Sequence, residues 1–124
     1  MHVLRHMVEA VKPGGLVLDL QVIRPNPTVE VDGSIVCEID GEPLFRTADA
    51  ATAAVEAFIG SGDLVEQARD DHDVRKHYTD GTELVEDFVN KERKLPSSAL
   101  PDLRARVLPC VVRERCRLRR FAVP

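Results

Sequence analysis

Val11-Lys12-Pro13-Gly14-Gly15, running directly into Leu16-Val17-Leu18-Asp19-Leu20-Gln21-Val22-Ile23, decides how this chain is read. Ahead of it, Val3, Leu4, Met7, Val8 and Val11 recur at the spacing of one helix face, which predicts an amphipathic helix over about residues 2–12. Pro13 lacks the amide that a continuing helix needs, and the paired glycines allow a sharp reversal after a helix end. The run that follows is too short for another helix and too apolar for a surface loop. It predicts a strand over residues 16–23, with Leu16, Leu18, Leu20 and Val22 on one face and Val17, Asp19, Gln21 and Ile23 on the other.

Downstream, Pro25-Asn26-Pro27 breaks the chain, and three short extended pieces are expected at Thr28–Val31, Ser34–Glu38 and Glu42–Arg46. Asp32-Gly33 and Asp40-Gly41 separate them, and Asp-Gly is a strong hairpin signal because both residues tolerate positive φ. An Ala-rich helix is expected from Asp49 to Ile59, with Ala50, Ala54, Ala57 and Phe58 available for packing and Gly60-Ser61-Gly62 ending it. Leu64–Tyr78 reads as a long strand. Asp80-Gly81-Thr82-Glu83 has capping-box spacing, with Asp in place of Ser or Thr. The helix it opens carries Leu84, Val85, Phe88 and Val89 on one side. A shorter helix between Ser97 and Arg106 and a last strand over Val111–Val123 complete the order. No internal repeat or low-complexity tract interrupts it, so residues 1–124 read as one domain.

Composition narrows the function classes. The apolar content is 44%, and no stretch approaches the ~20 apolar residues needed to cross a membrane. The N-terminus does not read as a signal peptide. Cys37, Cys110 and Cys116 make an odd number without C-x-x-C spacing, which argues for reduced thiols and a cytoplasmic location. Arginine outnumbers lysine thirteen to four, which points to a GC-rich bacterial genome. A net charge of −4 and an aromatic content of 4% argue against nucleic acid, which rewards clustered cations and stacking rings.

Helix, Lys-Pro-Gly-Gly and apolar strand together resemble the junction entering the fifth strand of the class I S-adenosylmethionine-dependent methyltransferases. The order beyond it is similar to the remainder of that domain: fifth strand, helix, sixth strand, helical connection, seventh strand. The resemblance implies an α/β fold containing a partial Rossmann-like sheet of late strands, the last pair antiparallel. It places the meander at residues 28–46 as an insertion, either shaping an acceptor pocket or covering a sheet edge. It also implies that the chain holds only the C-terminal, substrate-side half. In the family a Gly-rich loop and an acidic residue after the first two strands carry most cofactor contacts. Here adjacent glycines occur only at Gly14-Gly15, and no G-x-G-x-x-G or G-x-x-x-x-G-K-[ST] run exists. S-adenosylmethionine is therefore expected only in a completed domain, and the isolated chain is expected to be inactive. The alternatives are a non-enzymatic interaction or dimerisation module that retains the half-fold, and a small stand-alone α+β protein.

The charged residues are patterned as well. Arg113, Arg115, Arg117 and Arg119 alternate with Val112, Cys116 and Leu118, so a strand there puts the arginines on one face. Antiparallel pairing of the last two strands would set them beside Glu66, Asp70, Asp71 and Asp73, a salt-bridged face rather than an anion-binding surface. Asp70-Asp71-His72-Asp73 with His77 tempts a metal assignment, but alternate residues of a strand point apart. His2 and His6, one turn apart, read as exposed polar residues. No G-x-S-x-G, H-E-x-x-H or cysteine–histidine constellation is present, so no catalytic residue is assigned. Asp19 and Gln21 are the substrate-pocket candidates: polar groups near the carboxyl end of a strand meet ligands in doubly wound sheets. The strand that carries them looks built for a sheet interior, paired along both edges. Without those neighbours, Leu16, Leu18 and Leu20 would lie open, forfeiting roughly 1.5–3 kcal/mol each. Self-association, or pairing with a polypeptide that supplies the first half, is the expected response.

Overall fold

The computed structural model describes Arg5, His6 and residues 9–124. The elements run β1 (Leu16–Val22), β2 (Thr28–Val31), β3 (Ser34–Glu38), α1 (Glu42–Gly60), β4 (Val65–Tyr78), α2 (Gly81–Asn90), α3 (Leu100–Ala105) and β5 (Cys110–Ala122). Arg5, His6, Glu9 and Ala10 are helical, as the N-terminal pattern predicts. The apolar positions Val3, Leu4, Met7 and Val8 of that helix, and His2, lie outside the described residues. The strands make an open, mostly antiparallel sheet in the order β1-β5-β2-β3, with β4 also paired to β5. The α/β class therefore holds. The chain divides into two compact units.

The first unit comprises Met1–Ile23, Pro43–His72 and Cys116–Pro124. Gly15 N–H donates to the Lys12 carbonyl at 2.8 Å, with Gly14 at φ +83 between them. Pro13 second and a left-handed glycine third make a type II turn. Gly14 N–H donates to Val123 O at 2.7 Å and Val123 N–H to Gly15 O at 3.0 Å, tying the turn to the end of β5. From there β1 pairs antiparallel with β5, Leu16 opposite Ala122 through Val22 opposite Cys116. No second strand pairs with β1 among the described residues, so it is an edge strand rather than the expected interior one. Alternation reports how many faces are apolar and is silent on how many neighbours a strand has. Val17, Val55, Leu64 and Phe121 form the core of this unit, with Val11, Ala54, Phe58, Ile59 and Val123 against it.

Helix α1 begins seven residues earlier than the Ala-rich run predicts, and Glu42–Arg46 is its opening rather than a third extended piece. Asp40 Oδ1 accepts from Glu42 N–H at 3.1 Å, so Asp40-Gly41 is a helix entrance and not a hairpin turn. Pro43 sits in the first turn, where its missing N–H would have had no helical partner. Phe45, Ala48 and Val55 supply the buried stripe, while Ala50 and Ala57 are exposed. The helix ends as Gly60-Ser61-Gly62 predicts. Asp63 N–H donates to Phe58 O and Gly62 N–H to Ile59 O around Gly62 at φ +83, a Schellman pair.

The second unit comprises Arg24–Glu42 and Asp73–Arg115. Strands β2 and β3 form a hairpin, Val31 opposite Ser34, turning through Asp32 (φ 52) and Gly33 (φ 77). This is the two-residue turn with both φ positive that Asp-Gly favours. Strand β2 also pairs with β5, from Thr28 opposite Arg113 to Glu30 opposite Val111. Asp80 caps α2 by accepting from Glu83 N–H at 2.8 Å, and the Glu83 carboxylate reaches back to Thr79 N–H at 3.3 Å and to its hydroxyl. Gly81 N–H donates to Arg106 O at 3.1 Å, and a Cβ on Gly81 would lie 1.7 Å from the Leu103 carbonyl oxygen. Only glycine lets α2 start so close to α3. The core of this unit gathers Val29, Val31, Ile39, Tyr78, Leu84, Val85, Phe88, Leu103, Cys110 and Val112.

Candidate functional site

Three places hold side chains that could do chemistry or recognition. The first is β1 itself. Asp19 and Gln21 are half-buried on the strand face that also carries the buried Val17, and Gln21 Nε2 donates to Asp19 Oδ1 at 2.8 Å. Their ladder partners are Arg119 and Arg117. The two candidates thus come together as a pair, one acceptor and one donor already joined. On the opposite face Leu16, Leu18 and Leu20 are 53%, 60% and 57% exposed. Their partners across the ladder are Ala122, Arg120 and Leu118. The open apolar face expected from the alternation is therefore present.

The second place is the arginine ladder. In the first unit Arg117 makes a two-pronged contact with Asp71 at 2.8 and 3.0 Å. Arg119, 3% exposed, donates to Glu66 at 2.7 and 3.2 Å and to Glu56 at 3.0 Å, with its guanidinium 4.9 Å from the Phe121 ring centre. These bonds hold the Glu66 carboxyl down to about 2, the Arg119 hydrogen bonds being the main cause and Arg69 the next. In the second unit Arg115 meets Asp73 at 3.2 Å and Arg113 meets Glu30 at 3.0 Å. The ladder is a salt-bridged face, as its period of two implies. Asp70 is the exception: it meets His72 at 3.0 Å and not an arginine. With Asp71 and Asp73 turned to arginines and Asp70 to His72, the Asp-rich run does not converge. No group of three metal-ligating side chains occurs among the described residues.

The third place was not legible in the sequence. In the second unit Asp87 accepts from the Tyr78 hydroxyl at 2.5 Å and meets Lys76 at 3.1 Å and Lys91 at 3.0 Å. Three donors on one carboxylate hold its pKa well below the usual range, Tyr78 contributing most. Burial, and then the bond to Asp87, push the Tyr78 phenol up to about 12. Beside it a cleft of about 120 Å³ is lined by Lys76, Tyr78, Lys91, Arg93, Val112 and Glu114, with Arg93 paired to Glu114 at 2.6 Å. Only the Asp87–Lys91 pair, four residues apart on a helix, carries a sequence signal. An open groove of about 500 Å³ along α2, lined by Thr82, Val85, Glu86, Val89, Asn90 and Arg104, brings no comparable cluster together.

No helix among the described residues is long and apolar enough to cross a membrane. No family model, curated protein or solved structure matches this chain.

Proposed function

We propose that this chain is the C-terminal, substrate-side half of a class I S-adenosylmethionine-dependent methyltransferase-like fold, active only when a cofactor-binding half completes it. The observation that carries the reading is the pairing of the last two strands. Asp73 meets Arg115 and Asp71 meets Arg117, so numbers fall along β4 as they rise along β5, the antiparallel sense the resemblance implies. With the β2–β3 hairpin set aside as the insertion, the order strand, helix, strand, two helices, strand supports it further. The open outer edge of β1 is what a late strand presents when earlier strands are not beside it. Within this reading Asp19 and Gln21 orient an acceptor through one carboxylate and one amide. Methyl transfer depends mainly on in-line positioning and exclusion of water, so it requires no strong base here. Calorimetric titration tests the reading. The expected result is no heat from the chain alone with S-adenosylmethionine or S-adenosylhomocysteine, and micromolar binding once it is co-produced with a polypeptide encoded directly upstream. Binding by the chain alone, or none in the combined product, refutes it.

A second reading is a non-enzymatic interaction or dimerisation module. The specific observation in its favour is the exposure of Leu16, Leu18 and Leu20 on an edge strand.

A further inference from the structure

Among the described residues no strand pairs with the outer edge of β1, and Asp19 is the strand's one charged side chain. Natural sheets protect edges with lysine, proline, bulges or short strands. Between Leu16 and Ile23 there is no lysine, arginine or proline, the ladder to β5 is regular over seven residues, and three exposed leucines line one face. The backbone groups aimed outward can be identified. Val123 N–H donates to Gly15 O, and residues of an antiparallel strand alternate between bonding their partner and facing away. Val17, Asp19 and Gln21 therefore bond to β5, while the amides and carbonyls of Leu16, Leu18, Leu20 and Val22 point away from it.

We infer that this edge pairs with the β1 edge of a second copy, antiparallel about a two-fold axis through Leu20. The inference deepens the module reading and does not rest on the methyltransferase one. The register follows from the side chains. Centred on Leu20, the outward-bonding residues face one another as Leu20 to Leu20 and Leu18 to Val22, giving about six backbone hydrogen bonds. On the other face, Asp19 stands opposite Gln21 of the second copy, twice, so each carboxylate meets an amide donor. Centring on Asp19 would set two carboxylates against each other, which opposed strands disfavour. Centring on Leu18 would face Asp19 with Val17 and leave Val22 unpaired. The Leu20 register alone matches both faces.

Amide hydrogen exchange resolved by residue, with sedimentation equilibrium, tests this on the whole chain. The expected result is a species of twice 13.8 kDa in which the Leu18, Leu20 and Val22 amides are as protected as those of Val17, Asp19 and Gln21. In a Cys37→Ser background, Leu20→Cys should oxidise to a covalent dimer, whereas Leu16→Cys, facing Arg24 of the second copy, should not. Leu20→Lys, at a 57% exposed position, should keep the fold and give a monomer with those three amides exchanging freely. A wild-type monomer, a dimer with unprotected Leu18, Leu20 and Val22 amides, or equal cross-linking at both cysteine positions overturns the inference. The module reading itself falls only if those amides also stay open in a concentrated cell extract.

Discussion

Replacing Arg119 by methionine keeps an apolar side chain at this buried position while removing the guanidinium that lies over Phe121 and joins Glu66 and Glu56. The magnitude follows from Glu66, whose carboxyl drops from 4.5 to about 2. Each unit corresponds to about 1.4 kcal/mol, so the shift sets an upper bound of about 3 kcal/mol. The Glu66 side chain is 27% exposed and Arg69 supplies part of the shift, so water and the second arginine reduce this to about 2 kcal/mol. Because the folded carboxyl ionises below its unfolded value, its stabilisation is present above pH 4.5 and is lost as pH falls toward 2. Urea unfolding should therefore show Arg119→Met weaker than the parent by about 2 kcal/mol at pH 7, the gap closing between pH 4.5 and 2. The double variant with Glu66→Gln should be no weaker than Arg119→Met alone. Equal stability of parent and Arg119→Met at pH 7, with parallel pH profiles, would show that the ladder does not stabilise the sheet.

Gly81→Ala forces a methyl into the Leu103 carbonyl and should destabilise the chain by about 2–4 kcal/mol, read as a fall in thermal midpoint. Val17→Ala, on the buried face of β1, should cost about 1–3 kcal/mol, whereas Leu18→Thr on the open face should stay within about 1 kcal/mol under dilute conditions. Equal losses at both positions would contradict the facing of β1. Tyr78 is the only tyrosine and there is no tryptophan, so its ionisation can be followed by absorbance near 295 nm. At pH 11 only about a tenth of the phenol should be ionised in the folded chain, against most of it in the unfolded chain. Since the phenol is raised from 10 to about 12, the stability it contributes is present below pH 10 and is lost as pH rises toward 12. Asp87→Asn should lower the midpoint only in part, because burial is the larger cause.

Features set by a few neighbouring residues were legible before the fold. Asp32-Gly33 needs only its own two φ angles, Asp80 only the amide of Glu83, and Gly62 only the last turn of α1. The period of two in Arg113–Arg119 likewise announced a charged strand face. Asp40-Gly41 was misread because the same dipeptide opens hairpins and caps helices. The outcome turned on whether Phe45 and Ala48 had a core to enter, which is a tertiary fact. The edge position of β1 was hidden for a related reason, since Leu16, Leu18 and Leu20 read the same whether a second strand lies beside them or not. At the candidate site Asp19 and Gln21 could be named from their strand face, but not their mutual hydrogen bond. The Asp87 cluster depends on Tyr78 meeting a helix nine residues later, across the capped turn at Asp80, and sequence spacing does not encode that.

The pairing of β1 with β5 also has a consequence for biosynthesis. Of the five strands described here, β1 is synthesised first and pairs with the one synthesised last, Leu16 waiting for Ala122 and Val22 for Cys116. At 5–20 residues per second, β1 spends roughly 5–20 s as a nascent segment with Val17 uncovered and its β5-facing amides unpaired. The hairpin of β2 and β3, α1 and α2 can all form in that interval from local residues. The sheet around β1 cannot. Ribosome-stalled chains that end before Cys110 should therefore expose a chaperone-binding segment at Leu16–Val22, and chains extended past Ala122 and clear of the exit tunnel should lose it.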